Sequence, residues 1–274
     1  MTDAAVVRAA LAGDYVRRHA DEVAVLLEDW STDEGAGMLE RAPLASATPV
    51  FAALTPGLAA GVMDGLSDDR AAGLLRAIDP AQAAVVCSRL ARGRLQRLLG
   101  ELTRAEAREL RELMAYPPNS AAALMTARVE TFRPGTPAGR ILERLRAARA
   151  EGVTEVALTG AGGQLAGVAA VAALAAAEPE TPAAQLVHRE HAAVNAMAPR
   201  EELVRTMTRR GVAALAVVDA AGRLLGVVRQ DRIARAIHEE ATADVQTIVG
   251  ASGDEQALSP IGFAVRKRLP WLQI

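Results

Sequence analysis

The chain has 274 residues, 51% of them apolar, and a formal net charge of −2 from 31 lysines and arginines against 33 acids. That is enough chain for two compact cores, and too little net charge for a global field that gathers nucleic acid or anionic lipid. A single cysteine, Cys87, excludes an internal disulfide, and MTDAAVVRAALAGDY at the N-terminus lacks the basic run and long apolar stretch of a secretory signal, so a reducing, cytosolic setting is expected.

Seven positions set twelve apart organise the first hundred residues: Trp30, Ala42, Leu54, Leu66, Ile78, Leu90 and Leu102. The residue after each is often a helix cap, as in Ser31, Thr55, Ser67, Asp79 and Thr103, and Pro56 and Pro80 stand where a first helical position tolerates proline. Each unit is therefore predicted to be one short helix and a turn. A unit that small cannot bury its apolar side alone, so the units must stack as a superhelix. Arg89, Arg92, Arg94 and Arg97 are read as a solvated face rather than a nucleic-acid stripe, because aromatics are scarce and Glu101, Glu106 and Glu109 follow closely. Cys87 is expected to be a small core side chain.

After AYPPNSAAALMTARVETFRPG the pattern changes, and the rest of the chain can be laid over itself. Val156 to Leu174 matches Leu215 to Ile233 at an offset of 59, with Gly163 against Gly222, Leu165 against Leu224 and Gly167 against Gly226. An amphipathic helix precedes each hairpin, Pro137 to Ala150 and Arg200 to Arg210, and the first copy has about four extra residues before its hairpin. The unit reads strand, helix, strand, strand, helix, twice. Val156 to Ala177 is long enough and uncharged enough to suggest a membrane span, but the turn cluster at Thr159, Gly160, Gly162, Gly163 and Gln164 splits it into strands.

A tandem of such units resembles a pair of CBS domains. More narrowly, the order of parts resembles the cytosolic region of the MgtE family of magnesium transporters and channels, through YPPNSAAALMT at Tyr116 to Thr126, VVDAAGRLLGVV at Val217 to Val228 and EEATADV at Glu239 to Val245. The resemblance implies a multidomain α and α/β fold: an all-α superhelix of short helical repeats over 1–117, a tandem CBS (βαββα) pair over 118–240, and a connecting helix over 241–274. It implies a homodimer formed through the CBS domains and a transmembrane pore domain beyond this chain. Arg266, Lys267, Arg268 and Trp271 then read as a membrane-proximal entry, with cations just cytosolic of an apolar segment. The expected location is the cytoplasmic face of the cell membrane.

The chemistry expected is regulatory and not enzymatic, since no nucleophile, base and orienter come together. Magnesium is a hard cation that keeps several waters and takes one or two carboxylates per site. From Glu239 to Glu255 there are five acids and no lysine or arginine, and Glu240 and Asp244 are four apart on a predicted helix, where they repel each other unless a positive charge intervenes. The resemblance implies Asp219, Asp231, Glu239, Glu240, Asp244 and Asp79 as carboxylates through which magnesium draws domains together. The set is thinned, because Arg232, Arg235, His238 and Ala243 stand where the family carries acids. Those arginines also admit a cation-independent form, and with it the alternative of an interaction module without cation sensing.

A nucleotide-sensing adaptor is the further alternative. Many CBS pairs hold adenosine nucleotides through a hydroxyl three residues after a glycine and an Asp three beyond that. Here those positions are Arg229 and Arg232 after Gly226, and Ala170 and Ala173 after Gly167, so Arg229 and Arg232 are the cofactor-binding candidates and ATP is not expected. His188 and His191 lack a third ligand nearby, and the glycines at 160 to 167 do not fit GxGxxG.

Overall fold

The computed structural model describes residues 15–148, 153–187 and 193–237. Its first part is a stack of eight helices: α1 Ala20–Glu28, α2 Thr32–Arg41, α3 Leu44–Ala53, α4 Pro56–Gly65, α5 Asp68–Ala77, α6 Pro80–Cys87, α7 Arg92–Glu101 and α8 Arg104–Met114. From α2 on, helices begin every twelve residues, and most links are two residues long. The second link residue starts the next helix. Ser31 and Thr103 make full capping boxes with Glu34 and Glu106, and Ser67 and Asp79 also cap, whereas Thr55 makes no side-chain cap. The residue two before each helix start plugs the core: Leu54, Leu66, Ile78, Leu90 and Leu102 are all buried, while Trp30 at the start of the series is exposed.

Each helix packs on the helix two places further along. Gly61 and Gly65 let α4 lie close on α2, since a Cβ there would come within 2.9 Å of Thr32 Cγ2 and 2.8 Å of Ala36 Cβ. A guanidinium also reaches the C-terminus of the helix three back. Arg70 on α5 donates to the carbonyls of Leu39 (2.6 Å) and Ala42, and Arg94 on α7, 24 residues later, donates to Met63 (2.7 Å) and Leu66 (2.6 Å). Orphan carbonyls and the negative end of the helix dipole are both satisfied this way. The expectation of a solvated arginine face is therefore corrected for Arg94, which is 7% exposed and ion-paired with Asp68. Cys87 is fully buried as expected, and burial pushes its thiol up to about 12.

The second part contains two three-stranded sheets. The first is β1 Thr131–Phe132, β2 Glu155–Thr159 and β3 Leu165–Ala170, and the second is β4 Ala193–Asn195, β5 Ala214–Val218 and β6 Leu224–Arg229. In each, the outer pair is parallel and the hairpin antiparallel, with an irregularity at the same step, Leu158/Thr159 and Val217/Val218. Gly163 and Gly222 occupy the left-handed region (φ 80 and 76) at the matching turn positions. Helices α10 Ala138–Ala147 and α12 Arg200–Arg210 follow the first strands, α11 Val171–Ala176 follows β3, and residues 230–237 are helical after β6. The hairpins correspond at an offset of 59, but the first strands and helices correspond at 62, so the first copy carries three extra residues before its hairpin rather than four.

The repeats exchange their leading segments. Helix α9 Ala121–Leu124 precedes the first repeat but packs on the second, and the 3-10 turn Ala183–Leu186 precedes the second but packs on the first. The bonds repeat in kind: Ala121 N–H to Ala198 O (2.8 Å) matches Ala183 N–H to Thr136 O (2.9 Å), and Ala122 to Ala196 (3.0 Å) matches Ala184 to Pro134 (2.8 Å). The exchanged segments explain the duplicated glycines. A Cβ at Gly167 would lie 2.5 Å from Val187 Cγ1, and one at Gly226 would lie 2.4 Å from the carbonyl oxygen of Thr126. Among the described residues no helix is long and apolar enough to cross a membrane, and Val156 to Ala177 is two strands, a turn and a short helix.

Candidate functional site

Three of the six candidate carboxylates lie in the described residues, and each is engaged where it stands. Asp79, the N-cap of α6, divides its oxygens. Oδ1 accepts from Ala81 N (3.0 Å), and Oδ2 accepts from the backbone N–H groups of Ala127 (2.9 Å) and Arg128 (3.0 Å). Asp219 closes the β5–β6 turn. Its Oδ1 accepts from Ala221 N (2.9 Å) and Arg223 N (2.8 Å), and its Oδ2 accepts from Arg223 Nε (2.7 Å). The backbone and side-chain donors of Arg223, with the Ala221 amide and the guanidinium charge, hold the Asp219 carboxyl below its usual range. Asp231 pairs with Arg229 through Nε (3.1 Å) and Nη2 (3.2 Å).

The structure does not bring these three together. Among the described residues no group of three or more His, Cys, Asp or Glu side chains is placed to hold a metal ion. Glu239, Glu240 and Asp244 lie outside the described residues, as do Arg266, Lys267, Arg268 and Trp271. Of the nucleotide candidates, Arg229 is committed to Asp231, and Arg232 stands one residue beyond it in the helical stretch that follows β6.

Sequence reasoning missed the junction between the helical stack and the second repeat. Ala81 of α6 is buried in the same apolar cluster as Ala121, Ala122, Met125, Leu203, Leu215, Val217 and Val228, with Leu113 and Tyr116 packed against it. Thr126 pairs both ways with Val227, at 2.8 and 3.0 Å. Arg128 donates to the Arg76 carbonyl (3.0 Å), and Arg76 lies 3.8 Å from Glu106, whose carboxyl is held low first by the Thr103 amide and hydroxyl and then by the charges of Arg76 and Arg128. The one available signal was Asp79 itself, an acid at a cap position.

An open cleft of about 530 Å³ lies beside β1 and α10, lined in part by Phe132, Arg133, Arg140 and Arg144. Arg133 donates to the Gly160 carbonyl (2.5 Å), and Arg144 pairs with Glu130 (3.0 Å) and sits 5.8 Å from the Phe132 ring centre. Most of its charge is spent on the protein.

A helical stack fused to a duplicated βαββα pair is the architecture of a CBS-domain protein with an added helical domain. Residues 18–119 match the MgtE intracellular N domain and residues 183–239 the CBS domain. Similar curated proteins are the magnesium transporter MgtE of Thermus thermophilus, 30% identical over 66% of this chain and 40% of that protein, and MgtE of Enterococcus faecalis, 28% identical over 61% and 37%. The chain thus spans about two fifths of the length of these relatives. Among solved structures, the cytosolic domain of the Mg2+ channel MgtE in complex with ATP superposes with a TM-score of 0.71 over 82% of this chain and 93% of that one, at 24% identity. The soluble part of a magnesium transporter gives 0.61 over 85% and 98%, at 20% identity, and both likenesses show the fold. The chain therefore carries an MgtE intracellular N domain followed by a CBS domain, and over these parts it is similar to the magnesium transporter MgtE.

Proposed function

We propose that this chain is the cytosolic regulatory region of a magnesium transporter or channel, reporting the divalent cation to a pore domain on the cytoplasmic face of the membrane. What carries the reading is the joining of an MgtE N domain to a CBS pair in one chain. The sensing carboxylates are Glu239, Glu240 and Asp244, with Asp231 at the start of the same stretch. They are crowded like charges without a lysine or arginine between Glu239 and Glu255, and a cation relieves their repulsion. Homodimerisation through the CBS domains, as the family resemblance implies, would join two such chains in one assembly. Binding then shifts the population toward a closed arrangement by its differential affinity for that state.

Calorimetry of the chain with magnesium chloride tests this, against a variant with Glu239→Gln, Glu240→Gln and Asp244→Asn. The expected outcome is a binding heat that the variant loses. A chain that binds no magnesium at millimolar concentration overturns the reading.

The second reading is a CBS interaction module without cation sensing. It is favoured by the pairing of Asp219 with Arg223 and of Asp231 with Arg229. The same calorimetry separates the two. ATP, present in the complex of the similar MgtE domain, serves as the third arm. With Ala170, Ala173, Arg229 and Arg232 at the positions described, no ATP heat is expected.

A further inference from the structure

We infer that Asp79 is a latch that holds the helical stack on the second repeat without any cation. Its two oxygens serve different bodies: one caps α6, and the other receives the successive amides of Ala127 and Arg128, on the segment that leads into the first repeat. A carboxylate whose oxygens already accept three backbone N–H groups has little acceptor capacity left for a metal. The residue next to the latched pair, Thr126, is bonded both ways to Val227 of β6, so the latch acts on a strand already zipped to the second sheet. Ala81, two residues beyond Asp79, is 1% exposed within the apolar cluster of that repeat.

Each of these contacts is a direct hydrogen bond or apolar contact between protein groups, so the junction as inferred closes without drawing on charge neutralisation. The inference does not depend on the magnesium reading, which concerns residues 239–255.

Amide hydrogen exchange on the whole chain tests it, comparing chelator with millimolar magnesium and adding two variants. Asp79→Asn keeps an oxygen for the α6 cap but turns an N–H toward the donors of Ala127 and Arg128. Ser31→Ala removes the capping box of α2, far along the stack from the 126–128 segment, and so controls for lost capping alone. The expected result is equal protection of the Ala127 and Arg128 amides in chelator and in magnesium. In Asp79→Asn they should exchange about tenfold faster or more, and in Ser31→Ala at the rate of the unaltered chain. Protection that appears only with magnesium overturns the latch, as does an Asp79→Asn chain whose junction amides are unchanged. Should Asp79→Asn fail to fold, the chelator and magnesium comparison on the unaltered chain still decides.

Discussion

The two repeats share registers, turn glycines and exchanged segments, yet their cores have different neighbours. The first repeat closes its core with residues of the paired repeats alone, Phe132 through Val187, including the segment exchanged from the second. The second shares its core with the helical stack through Ala81, Leu113 and Tyr116. Duplication kept the backbone hydrogen-bond scaffold, while the faces diverged in what they pack against. Two copies of one unit can thus hold different mechanical posts, one as the anchor of another domain and one as a self-contained body.

The most damaging way to probe this difference is to empty the equivalent core positions. Ile141 and Leu203 correspond at the offset of 62 and are both fully buried. Each change to Ala is expected to cost about 2–5 kcal/mol by denaturant unfolding. Leu203→Ala should also lower exchange protection in α6, whereas Ile141→Ala should leave α6 alone. Next come the close-approach glycines. Gly226→Ala sets its methyl against the Thr126 carbonyl, which is backbone, and is expected to cost about 3 kcal/mol, while Gly167→Ala meets the side chain of Val187, which can turn aside, and is expected to cost about 1 kcal/mol. Equal losses would show that the exchanged segments are held with equal stiffness.

A smaller effect of opposite sign is expected at Ser120. Its hydroxyl is buried without a hydrogen-bond partner, and the corresponding position in the other exchanged segment is Pro182. Ser120→Ala should therefore stabilise the chain, by about 1 kcal/mol in the same denaturant assay. The smallest expected effect is one of pH. The Asp219 carboxyl is held below its usual range, so its contribution is complete above the ordinary carboxylate value and is lost as pH falls through the depressed one. The matching residue of the first hairpin is Gly160. Exchange protection should thus weaken in acid at the second hairpin and not at the first, and Asp219→Asn should erase the contrast.

Much of this architecture was legible in the residues. The twelve-residue spacing gave the stack, because a repeated aliphatic followed by a cap marks a link between helices, and Gly163/Gly222 and Gly167/Gly226 gave the duplication. What escaped was nonlocal. The offset of 62 is marked in the residues by little more than Pro137 and Pro199 ahead of α10 and α12; the rest of it resides in backbone bonds between distant segments, such as Ala121 to Ala198. Arg94 was misjudged because an arginine looks alike in sequence whether it faces water or caps a helix three units back. The site was the least legible part. Asp79 satisfied both a cap position and an expected metal position, and only the placement of Ala127 and Arg128 shows where its second oxygen goes.

The spacing of the helical stack also sets a rule for its length. Because helices begin at 32, 44, 56, 68, 80, 92 and 104 with almost no spare chain between them, one inserted or deleted residue rotates everything downstream by about 100° and turns the plugging aliphatics outward. Such a rod can grow or shrink only by whole units. The donors at Arg70, Gln82 and Arg94, twelve residues apart, each reach carbonyls three helices back, so the same 12-residue step also decides where these polar covers fall.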